Sequence, residues 1–105
     1  MDVKLEEFST NERFMMRIHS LFFINKIAPV VSPAFINAKI VPILLRMAKD
    51  PVPNIRFNVS KTTLLIAKNL TVSNHAKMRE EIRTMAEGDS DFDAQFFAQQ
   101  TLEQI

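Results

Sequence analysis

Two stretches of this chain nearly copy each other, "RMAKD" at residues 46–50 and "TMAEGD" at residues 84–89. Overlaid, Met47 falls on Met85 and Ala48 on Ala86, a shift of 85 − 47 = 38. Past the turn, Phe57 falls on Phe96 and Ile66 on Ile105, a shift of 96 − 57 = 39, with Gly88 as the extra residue. Further back, Arg13-Phe14 falls on Arg56-Phe57, Leu21 on Leu64 and Phe23 on Ile66, a shift of 56 − 13 = 43. Self-similarity at such periods belongs to stacked helix pairs, whose repeats run to about 40–47 residues. Each pair then buries its apolar face on its neighbours.

Composition agrees with helices throughout. The chain holds one Gly among 105 residues, too few for a sandwich of tight turns or a phosphate-cradling loop. Ser9 and Glu12 have capping-box spacing ahead of a first helix carrying Phe14, Ile18, Leu21 and Phe22, with Phe23 and Ile24 widening the stripe; Pro29 ends it. Ser32-Pro33 opens a second helix over about 33–48, with Phe35, Ile36, Ile40, Ile43, Leu44 and Met47 as its stripe and a kink expected at Pro42. A third follows Asp50-Pro51, with Ile55, Val59, Thr62, Leu65 and Ile66 on one side. The fourth carries Met78, Ile82 and Met85 and should end at Gly88 as a left-handed cap. The fifth carries Phe92, Phe96, Phe97, Leu102 and Ile105.

The expected fold is therefore an all-α, α-α superhelix of HEAT type, a solenoid fragment of about five helices in roughly two and a half repeats, within a single domain over 1–105. Residues 9–28 would form the second helix of a first repeat, 33–69 the second repeat and 74–105 the third. About three repeats make a stable solenoid. The chain then reads as the end of a longer array, or as a short form that self-associates through its unpartnered first helix. A self-contained five-helix bundle is the alternative.

Several functions are disfavoured. A formal charge of +1 supplies no global field for nucleic acid, and no apolar run approaches the roughly 20 residues that span a bilayer. Cysteine is absent, which removes thiolate catalysis and Cys-based zinc. "DSDFDA" at 89–94 opens like a calcium loop, but Ala94 and Gln100 stand where that loop needs Gly and Glu. His19 and His75 belong to no ligand motif, and Ser60, Thr62 and Thr63 lack a nucleophile elbow. Lys77, Arg79 and Arg83 are interleaved with Glu80, Glu81 and Glu87, as on a solvated helix face. "NVS" and "NLT" spell glycosylation acceptors, yet "MDVKLEEFSTNER" is unlike a secretory signal. The expected location is the cytoplasm, with the nucleus also open to it. Neither an enzyme nor a cofactor is expected.

"KDPVPNIRFN", residues 49–58, is the segment with most to offer a partner. Asp50 is placed to cap the following helix, Pro51 suits its first position, and Pro53 is tolerable in the first turn. Prolines on both sides of Val52 narrow the turn's freedom before anything docks, so Val52 and Asn54 would form a preset contact surface. The plainer reading makes Val52 a staple between two helices.

"ILLRMAKDPVPNIRFNVSK" (43–61) resembles the penultimate HEAT repeat of the scaffold A subunit of type 2A serine/threonine protein phosphatases. "RIHSLFFIN" (17–25) looks like the repeat before it, and "DSDFDAQFFAQQTLEQI" (89–105) like the second helix of the last. HEAT-containing regulatory subunits of the type 4 phosphatase are close kin. The resemblance implies a non-catalytic scaffold whose intra-repeat turns hold the phosphatase catalytic subunit. By position it implies contact through Val52, with Asp50, Pro53 and Asn54 beside it. It further implies packing and turn hydrogen bonds from Arg56, and a matching turn at Asp89 and Asp91. The connector "APVVSPAFINAK" and the first ten residues depart from the family pattern. A truncated solenoid that binds another protein, or itself, is the alternative function.

Overall fold

Caps and prolines mark out five helices over residues 14–104 of a computed structural model that describes Ser9, Thr10 and residues 13–105. Helix α1 is Phe14–Ile27. The expected Ser9 cap is corrected: Arg13 stands at the cap position with no side-chain cap, and the Ser9 hydroxyl instead accepts from Arg46 at 2.7 Å, while Glu12 lies outside the described residues. Helix α2 is composite: Pro33–Phe35, a π-helical turn over Ile36–Ile40, then Val41–Met47. The Ser32 hydroxyl caps it by accepting from the Phe35 N–H at 3.1 Å. Helix α3, Pro53–Ile66, runs into a short 3-10 turn, Ala67–Asn69. Helix α4 is Val72–Gly88, capped by Thr71, and α5 is Phe92–Gln104, capped by Asp91.

One local expectation takes a specific form and another is corrected. The irregularity at Pro42 takes the form of a widened turn just before it, in which the Val41 N–H donates to the Ile36 carbonyl five residues back. A proline ring crowds the carbonyl four residues upstream, and one π turn moves that carbonyl aside. Gly88 is not a left-handed cap, because no glycine has positive φ and Gly88 remains inside α4. Asp89 ends the helix instead, with an extended backbone and its N–H on the Met85 carbonyl at 3.1 Å.

The helices stack in two layers. One holds α1, α3 and α5 in a row, and the other holds α2 and α4. Neighbours within the row run parallel: Arg17 near the start of α1 meets Asp50 just ahead of α3, and Asn25 near its end meets Thr62 near the end of α3. The molecule measures 34 × 32 × 19 Å, and its thin dimension is about two helix diameters of ~10 Å. This is the all-helical stack that the repeats imply.

The layers meet over Ile36, Ile40, Ile43, Leu44 and Met47 of α2 and Met78, Ile82 and Met85 of α4. From the other side come Ile18, Leu21 and Ile24 of α1 and Ile55, Val59 and Ile66 of α3. Burying each large aliphatic side chain contributes about 1.5–3 kcal/mol. The expected stripes fail on the row's outer flank, where Phe22, Phe23, Leu65, Phe92 and Phe96 are exposed. Small residues take the inner positions there: Ser20, Ser60, Thr62, Thr63, Ala94, Ala98 and Thr101. The Thr101 hydroxyl donates to the Ser60 carbonyl at 3.1 Å, so α3 and α5 approach closely at that level, while Phe57 and Phe97 pair across the same seam with ring centroids 5.2 Å apart. Among the described residues, no buried side-chain polar atom lacks a hydrogen-bond partner.

Candidate docking edge at the intra-repeat turns

The α2–α3 turn and the α4–α5 turn are built alike. At the first, Arg17 Nε donates to Asp50 Oδ2 at 2.7 Å and Nη2 donates to Oδ1 at 3.1 Å. Asp50 Oδ1 also accepts from the Val52 N–H at 2.9 Å. At the second, Arg56 Nε donates to Asp89 Oδ2 at 2.7 Å and Nη2 donates to Oδ1 at 2.8 Å. Asp89 Oδ1 in turn accepts from the Asp91 N–H at 2.8 Å. Arginine and aspartate both recur at 39 residues (56 − 17 = 89 − 50), and each pair spans 33. Arg17, and not Arg13, is thus the counterpart of Arg56.

Arg56 joins the two turns into a ladder. Its Nη1 donates to the Asp50 carbonyl at 2.8 Å while its other nitrogens hold Asp89. The fork geometry of a guanidinium on a carboxylate fixes orientation as well as distance. Both aspartate side chains are largely buried, at 7% and 6% exposure. The bidentate hydrogen bonds from Arg56 hold the Asp89 carboxyl below its ordinary pKa, against the opposing effect of burial. The same bonds raise Arg56 further above its already high value.

The residues singled out from sequence divide between two roles. Asp50, Arg56 and Asp89 point inward and set the turns. Val52 is half-buried and packs against the core, which agrees with a staple, but it stands at the surface between exposed Pro51 and exposed Asn54. Asn54 is held by Asn58, whose Nδ2 donates to its carbonyl and its side-chain oxygen, each at 2.7 Å. Pro53 is half-buried at the first position of α3. Asp91 caps α5, its Oδ2 accepting from the Ala94 N–H at 3.0 Å. Asp50 does not cap α3. Val52 occupies that position, with no side-chain cap, and the helix starts at Pro53 in place of Pro51. The Asp50 carboxylate is already committed to Arg17 and the Val52 N–H, and extended backbone at Val52 delays the helix to Pro53.

Sequence reading missed Arg17 as a turn-setting residue. The repeated 39-residue spacing of Arg and Asp could have revealed it. Beside the ladder lie two open clefts, one of about 500 Å³ lined by Ser9, Thr10, Arg17, Arg46, Lys49, Asp50 and Pro51, and one of about 160 Å³ lined by Ala48, Lys49, Glu81, Thr84, Met85, Gly88 and Asp89. The first reaches the roughly 300–1,000 Å³ of small-molecule sites and the second does not. No group of three or more potential metal ligands occurs among the described residues, and none of their helices is long and apolar enough to cross a membrane. What the edge presents outward is Pro51, Val52 and Asn54, on a frame of two largely buried ion pairs.

No protein-family model matches the sequence. Among curated proteins, the regulatory A subunit of protein phosphatase PP2A from Saccharomyces cerevisiae is 32% identical over 99 residues, covering 87% of this chain and 15% of that protein. Its namesake from Schizosaccharomyces pombe is 38% identical over 52 residues, covering 50% of this chain and 9% of its own length. Both are named regulatory subunits, in keeping with the non-enzymatic reading. Over most of its length the chain is a relative of one short stretch of the regulatory A subunit of protein phosphatase PP2A.

Proposed function

We propose that this chain is a non-catalytic scaffold module whose intra-repeat turns dock the catalytic subunit of a serine/threonine phosphatase. One observation carries the reading: the Arg17–Asp50–Arg56–Asp89 ladder holds two like turns on a common edge, with Pro51, Val52 and Asn54 at its surface. Relatedness to a phosphatase regulatory subunit supports the choice of partner. The chain spans only 15% and 9% of those relatives. Stable interfaces bury about 1,200–2,000 Å². Two short turns fall below that, and the expected affinity is correspondingly low.

The test is capture of purified type 2A catalytic subunit on immobilised chain. Val52→Asp should lower capture at least about tenfold, which is ~1.4 kcal/mol. Because Val52 also packs on the core, exposed Asn54→Arg serves as a second variant, with helicity checked by circular dichroism. Equal capture by wild type and both folded variants would remove the proposed edge.

A further inference from the structure

We propose that the outward face of the α1–α3 pair is a second docking surface, fitted to an acidic segment of a partner protein that carries large apolar side chains. The proposal is independent of the turn edge.

Three observations carry it. First, α3 is inverted with respect to burial. Thr62 and Thr63 are buried, whereas Leu64 and Leu65 are 38% and 46% exposed. Exposed Lys61, Leu64, Leu65 and Lys68 fall at i, i+3, i+4 and i+7, which is one stripe of the helix and its 3-10 extension. Second, α1 extends this stripe sideways. Asn25 Oδ1 accepts from the Thr62 hydroxyl at 2.7 Å and marks the seam between the helices. Phe22, 48% exposed, lies one turn before Asn25, and exposed Lys26 follows it.

Third, among the described residues the charge carried by these two helices has one sign. Neither Phe14–Ile27 nor Pro53–Ile66 contains an aspartate or glutamate, and Ala67–Asn69 adds only Lys68. The carboxylates of the neighbouring helices, Glu80, Glu81, Glu87, Asp93 and Glu103, belong to α4 and α5. Contiguous exposed apolar surface rimmed by charge marks an interaction site. Lysines around it favour carboxylates and disfavour a basic partner. Lys61 is already positioned, its Nζ 4.3 Å from the Phe97 ring centroid and 5.5 Å from that of Phe57. A cation held on aromatic faces still presents its N–H groups outward.

Two fluorescent helical peptides of roughly 18 residues test this, one with a leucine face and glutamates elsewhere, the other with lysines in place of the glutamates. Fluorescence anisotropy should show the glutamate peptide binding the intact chain at least about tenfold more tightly than the lysine peptide, and less tightly as salt rises. Lys26→Glu with Lys61→Glu should reverse that preference. Phe22→Ser with Leu65→Ser should abolish binding of either peptide. Capture of phosphatase catalytic subunit should be unchanged by all four substitutions, which separates this surface from the turn edge. Equal binding of the two peptides, or no effect of the charge reversal, overturns the proposal. So does a dimer in analytical ultracentrifugation that Phe22→Ser with Leu65→Ser dissolves, since a second copy would then be the occupant.

Discussion

The two helix layers share a core but differ in what they leave outside it. In α2 and α4 the large apolar residues lie inside, from Ile36 through Met47 and from Met78 through Met85, and the exposed side chains include charges such as Arg83 and Glu87. In α1, α3 and α5 many buried positions are hydroxyls or alanine, while Phe22, Phe23, Leu64, Leu65, Phe92 and Phe96 face out. Folding stability explains the first pattern through burial of apolar surface. It does not explain the second, because an exposed leucine contributes little to the folded state. Side chains in the α2–α4 layer are spent on the core, and a large share of those in the row face outward.

The largest expected effect concerns what holds the layers in register. Asp89→Ala leaves Arg56 largely buried without its partner, and loss of one member of such a pair costs about 3–5 kcal/mol. Urea unfolding would measure it, and a loss under about 1 kcal/mol, the ordinary worth of a surface pair, would show the ladder to be ornamental. The same pair sets a pH dependence. The Asp89 carboxyl has a lowered pKa in the folded state. Its stabilisation is therefore complete above the ordinary carboxylate value of about 4 and is lost as pH falls through the lower folded value, where the unfolded chain binds more protons. The raised pKa of Arg56 acts only in strong alkali. The acid limb of a plot of Tm against pH should flatten in Asp89→Asn.

Next in size is the contrast between the layers themselves. Leu44 is fully buried, and Leu44→Ala should cost about 2–5 kcal/mol. Leu65→Ser should stay within about 0.5 kcal/mol, as surface changes do. Comparable costs for the two would erase the distinction between layers. Smaller than the Leu44 change is Gly88→Ala in α4. A Cβ there meets nothing within 4 Å and φ is not positive, so the change should stabilise by about 0.4–1 kcal/mol. Destabilisation would return Gly88 to the role of a left-handed cap.

Much of this architecture is legible in the sequence, because helix ends announce themselves locally. Ser32-Pro33 and the stripe of Met78, Ile82 and Met85 depend on neighbours within a few residues, and the structure places them as read. What escapes is set by distant partners. Asp50 reads as a helix cap because nothing nearby shows that Arg17, 33 residues upstream, already holds its carboxylate. Phe92 and Phe96 read as core because helical spacing identifies a face without saying which way it points. The close approach of α3 to α5 decides that. At the candidate edge, the turn itself is visible in the sequence but its internal division is not: Asp50, Arg56 and Asp89 are the frame, and Pro51, Val52 and Asn54 are the part a partner could touch.

Amide hydrogen exchange on the chain, with and without phosphatase catalytic subunit, tests the docking account most directly. Added protection should concentrate in residues 49–56 and 88–91, the two turns joined by Arg56. Protection confined to the outward face of α1 and α3, or none at either turn while the complex forms, would contradict it.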